Sequence, residues 1–254
     1  MERLSDIEEY KDIIFLCKFV DPQFLDSLLD GNLYMNTLGH FIAQEEKTKI
    51  RGQGDKYEGA HVFEVQNVQL IDPKTGAVIA NSKNGMFKER YEGVRDIPVF
   101  CFTKFTAEDF KVLEKGEGTV SIMLDIDEEE KDKFLENFGS TAVMLPGGFI
   151  NMIEEDALKQ NHKFTIKSIK YEDYKVISKE RKEAFEEKSV EIITWKDKFF
   201  EYQREMRFAI LNNPTKEPMI FKMRSIRGGA MIIEADKFLK GCIIQLNFNE
   251  IEQD

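Results

Sequence analysis

The run Met206-Arg207-Phe208-Ala209-Ile210-Leu211, with the β-rich runs at residues 219–223, 230–233 and 242–248 that follow it, decides the fold class. Each is a short apolar stretch of strand length. Working outward, residues 97–102, 119–125, 141–145 and 164–171 read the same way. Helical spacing is confined to residues 128–138, 149–160, 178–188 and a short stretch at 199–203 in this half of the chain. Strands therefore outnumber helices and do not alternate regularly with them. That pattern predicts an α+β fold with a mixed, mostly antiparallel sheet and flanking helices, not a doubly wound one. No repeat and no Pro/Ser/Gly-rich linker interrupts the chain, so residues 1–254 read as a single domain.

Toward the N-terminus, residues 11–20 hold the apolar run Ile13-Ile14-Phe15-Leu16-Cys17-Lys18-Phe19-Val20, a buried strand. Asp21-Pro22 opens a helix, with Asp as N-cap and Pro at the first helical position. Phe24, Leu25, Leu28 and Leu29 are predicted to be buried together on one face of it, and Gly31 stops it. Residues 32–37 form the next strand, followed by a short helix at 41–47. Residues 51–59 are polar and glycine-rich and read as a loop. Pro73-Lys74-Thr75-Gly76 is the turn of a hairpin between residues 61–72 and 77–80.

Thirty-six basic and 47 acidic residues give a formal charge of −11, which argues against a broad nucleic-acid surface. No apolar run reaches membrane-spanning length, and the first residues lack the pattern of a signal peptide. A cytoplasmic location is expected. Cys17, Cys101 and Cys242 each lie in an apolar stretch and read as buried thiols rather than a disulfide frame. Close-paired Cys or His spacing is lacking, so no metal is expected. Walker, dinucleotide and Gly-x-Ser-x-Gly patterns are missing as well; Gly52-Gln53-Gly54 is a bare glycine pair.

Three segments carry candidate chemistry. In Tyr202-Gln203-Arg204-Glu205-Met206-Arg207-Phe208, Gln203 and Glu205 would share a face if the segment is extended. One could position a substrate while the other stabilises a developing positive charge; equally, Glu205 could be half of a structural pair with an arginine. In the second segment, Thr103 and Lys104 could hold a ribose or phosphate, or Thr106 could simply cap a helix starting at Ala107. In the third, Tyr34, Asn36 and His40 could stack on and hydrogen-bond a base or nicotinamide amide, and Asp55 and Glu58 downstream could bind a metal or a cationic group or simply stand solvated on a loop. The plain alternative there is a half-buried Tyr34, Asn36 in a turn, and Asp55 ordering a glycine loop.

The order of these segments resembles that of a large family of uncharacterised bacterial and phage proteins. That family has an early apolar strand, an acidic loop, a Cys-Phe-Ser-like strand, a Glu-x-Arg-Phe-like strand and a closing Leu-x-Gly-x-Ile-like strand. The matching segments here are residues 33–38, 55–58, Cys101-Phe102-Thr103, Glu205-Met206-Arg207-Phe208 and Leu239-Lys240-Gly241-Cys242-Ile243. Thr103 replaces the usual serine, and Asp55-Lys56-Tyr57-Glu58 replaces Asn-Asp-Pro-Phe-Glu. More loosely, the order is similar to that of ADP-ribosyltransferases. That resemblance implies NAD as cofactor, with Glu205 and Gln203 catalytic and Tyr34, Thr103 and Asn36 binding the cofactor. Glu205 would stabilise charge, Gln203 orient the acceptor, Thr103 support the ribose and Tyr34 stack on the nicotinamide. The alternative is a non-enzymatic acidic protein that binds and blocks a protein partner in phage–host conflict.

Overall fold

A computed structural model describes residues 2–52 and 54–247 and is α+β with mostly antiparallel sheets. The expected 242–248 run thus extends by one residue beyond what is described. The N-terminal part holds β1 (Ile14–Val20), α1 (Pro22–Leu29), β2 (Asn32–Thr37) and α2 (Leu38–Thr48). Strands β3 (His61–Ile71) and β4 (Val78–Glu89) form the expected hairpin, and β5 (Pro98–Thr106) follows. Next come β6 (Phe110–Gly116), β7 (Thr119–Leu124), α3 (Glu128–Asn137), β8 (Thr141–Met144) and α4 (Phe149–Lys159). The chain continues through β9 (Phe164–Ser168), β10 (Lys170–Glu172), α5 (Lys179–Glu186), β11 (Trp195–Asp197) and β12 (Glu205–Ile210). It closes with β13 (Met219–Lys222), β14 (Met231–Glu234), α6 (Ala235–Gly241) and β15 (Ile243–Asn247).

Strand β5 is the hub of the main sheet. One of its edges carries β12, from Thr103 opposite Glu205 to Val99 opposite Ala209, and β12 in turn carries β9. A strand has only two edges, so β1 and β2 share the other. β2 pairs at Val99 and Pro98, and β1 from Thr103 to Thr106. Between them the sheet splits. β1 departs with β8 and β14, β2 departs with β13, and residues 100–102 of β5 face the gap. Helix α1 spans the gap, because it joins the end of β1 to the start of β2.

Alternation along β5 and β12 sorts the side chains. Phe100, Phe102 and Phe208 point into an apolar core with Leu33, Met35, Phe149 and Ile153. The opposite face carries Val99, Cys101, Thr103, Glu205, Arg207 and Ala209. A second core of Phe19, Phe105, Phe110, Phe134 and Phe238 fills the end where β1 meets β7 and α6.

Several sequence expectations need correction. Phe24 is 55% exposed while Leu28 and Leu29 are buried, because Phe24 stands at the rim of the gap that α1 spans. Asp21 occupies the N-cap position but its side chain makes no capping bond. The expected helix at Ala107 is a single 3-10 turn; the Asp109 carboxylate accepts from the Thr106 N–H at 2.7 Å, and β6 begins at once. Residues 239–241 form the last turn of α6 rather than part of a closing strand. Cys17 is buried and Cys242 is partly exposed; Cys101 is partly exposed as a residue but its thiol is buried. Among the described residues, no helix is long and apolar enough to cross a membrane.

Candidate functional site

The gap between β1 and β2 is a cleft of about 600 Å³. Tyr34, Asn36, Thr103, Gln203 and Glu205 all line it. Each arrives there for a local reason. Asn36 is the last residue but one of β2, at the point where that strand meets Val99 of β5. Thr103 is where β5 passes from the gap to its pairing with β1. Tyr34 lies on the outward face of β2, opposite Ile220 of β13, and is 58% exposed rather than half-buried. His40 and Lys104 do not line the cleft; His40 sits in the first turn of α2, where its N–H donates to Thr37 Oγ1.

Gln203 and Glu205 do not share an extended segment. Gln203 ends a 3-10 helix (Lys198–Gln203), and Arg204 takes a left-handed conformation, φ 45°, before β12 begins. Arg204 is held there by its guanidinium, which reaches Asp109 and Glu130 at 2.9 Å each. The two side chains nevertheless meet at Lys196 on β11. Its ammonium donates to Gln203 Oε1 at 2.9 Å and to Glu205 Oε2 at 2.5 Å. Two-residue alternation instead joins Glu205 to Arg207, whose Nε donates to Glu205 Oε1 at 2.8 Å. Arg207 also donates to the Ile193 carbonyl at 2.6 Å and forms an ion pair with Glu58. The arginine partner anticipated for Glu205 is therefore present, and both oxygens of Glu205 are engaged.

Asp55 and Glu58 do not lie on a solvated loop. Both are 0% exposed. Arg90 donates to the Lys56 and Glu58 carbonyls at 3.0 and 2.9 Å and holds the segment against the body. Gly54 is required there: a Cβ would stand 2.3 Å from the Phe41 carbonyl oxygen. Asp55 Oδ1 accepts from the Tyr57 N–H at 2.8 Å. Asp55 Oδ2 and Glu58 Oε2 are buried with no hydrogen-bond partner.

Burial alone would raise the Glu205 carboxyl, but Arg207 and Lys196 outweigh it and hold it well below the usual carboxylate range. Burial likewise opposes the charge on Lys196, and Glu205 and Glu58 overcome it. Asp55 goes the other way: burial first, and Glu58 second, push it up to about 7. Burial pushes the Cys101 thiol up to about 12, so it is no nucleophile at neutral pH.

The resemblance motifs at 55–58, 101–103 and 205–208 thus meet at one place. Sequence reasoning missed Lys196 and Lys18, which also line the cleft. Lys18 carried a usable signal, a charge inside an otherwise apolar strand; Lys196, in a three-residue strand, carried little. Comparison with protein-family models, with curated proteins and with solved structures gives no match for this chain.

Proposed function

We propose that the cleft binds NAD and that the protein transfers ADP-ribose from it. The observation that carries this reading is that Tyr34, Asn36, Thr103, Gln203 and Glu205, scattered over 172 positions (205 − 34 + 1), line one cleft in a split sheet. Aromatic walls with a few polar groups at the base suit a nucleotide. In the transfer, the bond from ribose C1′ to the nicotinamide nitrogen breaks and its electron pair leaves with nicotinamide. Positive charge builds on the sugar until an acceptor nucleophile attacks C1′ and gives up its proton. A fixed carboxylate stabilises that charge more in the transition state than in the ground state. Glu205 fills this role, with Lys196, Gln203 and Arg207 fixing its orientation. Within the network the carboxylates Glu58 and Glu205 balance the cations Lys196 and Arg207, so the gain comes from proximity of Glu205 to the sugar rather than from a net negative field.

The test is release of labelled nicotinamide by wild type, Glu205→Gln and Thr103→Val, with melting curves alongside. Turnover by wild type, with a loss of about 10²–10³ in Glu205→Gln and a smaller loss in Thr103→Val, is expected. Absence of NAD binding by wild type would sink the reading. A second reading, a non-enzymatic protein that binds and blocks a partner in phage–host conflict, is favoured by the β3–β4 hairpin. Among the described residues its strands pair only with each other, and Val68, Leu70, Ile71, Val78 and Ile79 on it are exposed.

A further inference from the structure

Three cations line the cleft: Lys18, Lys196 and Arg207. Lys196 and Arg207 are committed to Glu205 and Glu58. Lys18 is different. Among the described residues, no carboxylate lies within ion-pair distance of its ammonium. Its contacts are the Cys101 carbonyl, to which Nζ donates at 2.7 Å, and the face of Phe100, 4.9 Å from the ring centroid. An ammonium has three N–H donors, and this hydrogen bond uses one.

The position sharpens the point. Lys18 follows Cys17, the residue of β1 that pairs with Thr103, so it is the first residue of β1 beyond the split. Its chain neighbours Cys17 and Phe19 are buried. In a chain with 11 more acids than bases, a lysine whose ammonium is disfavoured by burial and offset only at longer range, by Cys101 and Glu205, is unexpected. Thr103 lines the same cleft. The cleft thus brings together a lysine, a threonine and the exposed rings of Phe24 and Tyr34.

We infer that Lys18 is the anion-binding residue of the cleft and that the ligand carries a phosphate, seated on the Lys18 ammonium. The inference shares with the reading above the premise that the cleft is a ligand site, but it does not need that ligand to be NAD. The sequence had pointed to Lys104 for a cation beside Thr103; the split in the sheet puts Lys18 there instead.

The experiment titrates inorganic pyrophosphate and ADP into wild type, Lys18→Met, Lys18→Arg and Lys104→Met by calorimetry at low salt. Binding to wild type is expected, at least tenfold weaker in Lys18→Met, within about threefold in Lys18→Arg and unchanged in Lys104→Met. No binding of either probe by wild type at millimolar concentration overturns the inference, as does an equal loss in Lys104→Met or none in Lys18→Met. A melting curve checks that Lys18→Met is folded. If it is not, the side-chain NMR signal of Lys18 in wild type decides, by moving or staying still as pyrophosphate is added. Lys18-dependent pyrophosphate binding without NAD turnover supports the anion site while removing ADP-ribosyl transfer. NAD turnover that Lys18→Met leaves untouched overturns the anion site and leaves transfer standing.

Discussion

Two regions of this protein reverse the usual distribution of polar and apolar groups. Around Arg207 the interior holds Glu58, Lys196 and Glu205. On the β3–β4 hairpin, apolar residues face water. The difference lies in who satisfies the anomaly. Burying a charge costs several kcal/mol unless it is paired and hydrogen-bonded. The interior network meets that demand with partners from β11, β12, the 3-10 turn before β12 and the segment at Asp55–Glu58. It therefore ties distant stretches of chain to one arrangement. The hairpin divides: its base is tied to the body through Val62, which packs with Tyr174 and Trp195 and whose carbonyl accepts from Arg181, whereas farther out, among the described residues, no other strand pairs with it and its apolar residues stay exposed.

The largest effect should come from breaking the network. Arg207→Met keeps the length of the side chain but strands Glu205 and Glu58, each of which loses a buried cation. Removing one partner of a buried pair costs about 3–5 kcal/mol. Urea unfolding should show a loss of that size at neutral pH. A loss under 1 kcal/mol would mean that water reaches these groups and that the network is not what fixes the segments.

A smaller, pH-dependent effect should come from Asp55. Its folded-state proton is held up to about 7 by burial and by Glu58, whereas in the unfolded chain it leaves in the ordinary carboxylate range. Between those two values the folded state binds more protons than the unfolded one. Stability contributed by this group is therefore present at low pH and is lost as pH rises toward and through 7. Asp55→Asn keeps an oxygen for the Tyr57 N–H. The variant should melt above wild type at pH 8, and the gap should close as pH falls to 5. Parallel curves would assign the pH dependence elsewhere.

The contrast also shows what sequence carries. Strand and helix positions follow from local patterns: the apolar runs that became β1, β5, β8 and β12, the Asp-Pro start of α1, and the hairpin turn at Pro73–Gly76. The α+β class followed from their order. The split between β1 and β2 was not legible, because it depends on which edge of β5 each strand takes, a long-range choice. The burial of Asp55 and Glu58 was hidden for the same reason. Polar residues among glycines look solvated until Arg90 and Arg207, remote in sequence, close over them. Glu205 and Gln203 were found as neighbours in a short motif. The lysine that joins them lies on a three-residue strand, which has too little pattern to be read.

The hairpin should respond weakly. Leu70→Ser and Ile79→Ser remove apolar groups that are already exposed, and such changes usually stay within about 0.5 kcal/mol. Unchanged melting, with reduced self-association or partner capture if the ribbon docks, would keep the comparison intact. A loss above 1 kcal/mol for either would show that the ribbon packs on the body in solution and would erase the contrast.

The smallest effect on stability, and the most informative about function, belongs to Tyr34. Like the hairpin residues it is an exposed ring on a strand, 58% accessible, facing Ile220 across the pair. Unlike them it stands at the rim of the cleft whose base is the charged network. If the exposed surface of Tyr34 is only ordinary surface, Tyr34→Ala should be silent in every assay. If it is the wall against which a base or nicotinamide ring lies, melting of the free protein should still be unchanged, because the ring is not part of the core. Affinity for ADP or NAD should then fall, since losing an aromatic stacking partner costs about 1–3 kcal/mol per base. Calorimetric titration of Tyr34→Ala against wild type, with both melting curves in hand, separates these cases. A silent variant in a protein that does bind ADP would move the ring-binding wall to Phe24 or Phe41. Equal losses of affinity and stability would return Tyr34 to a structural role.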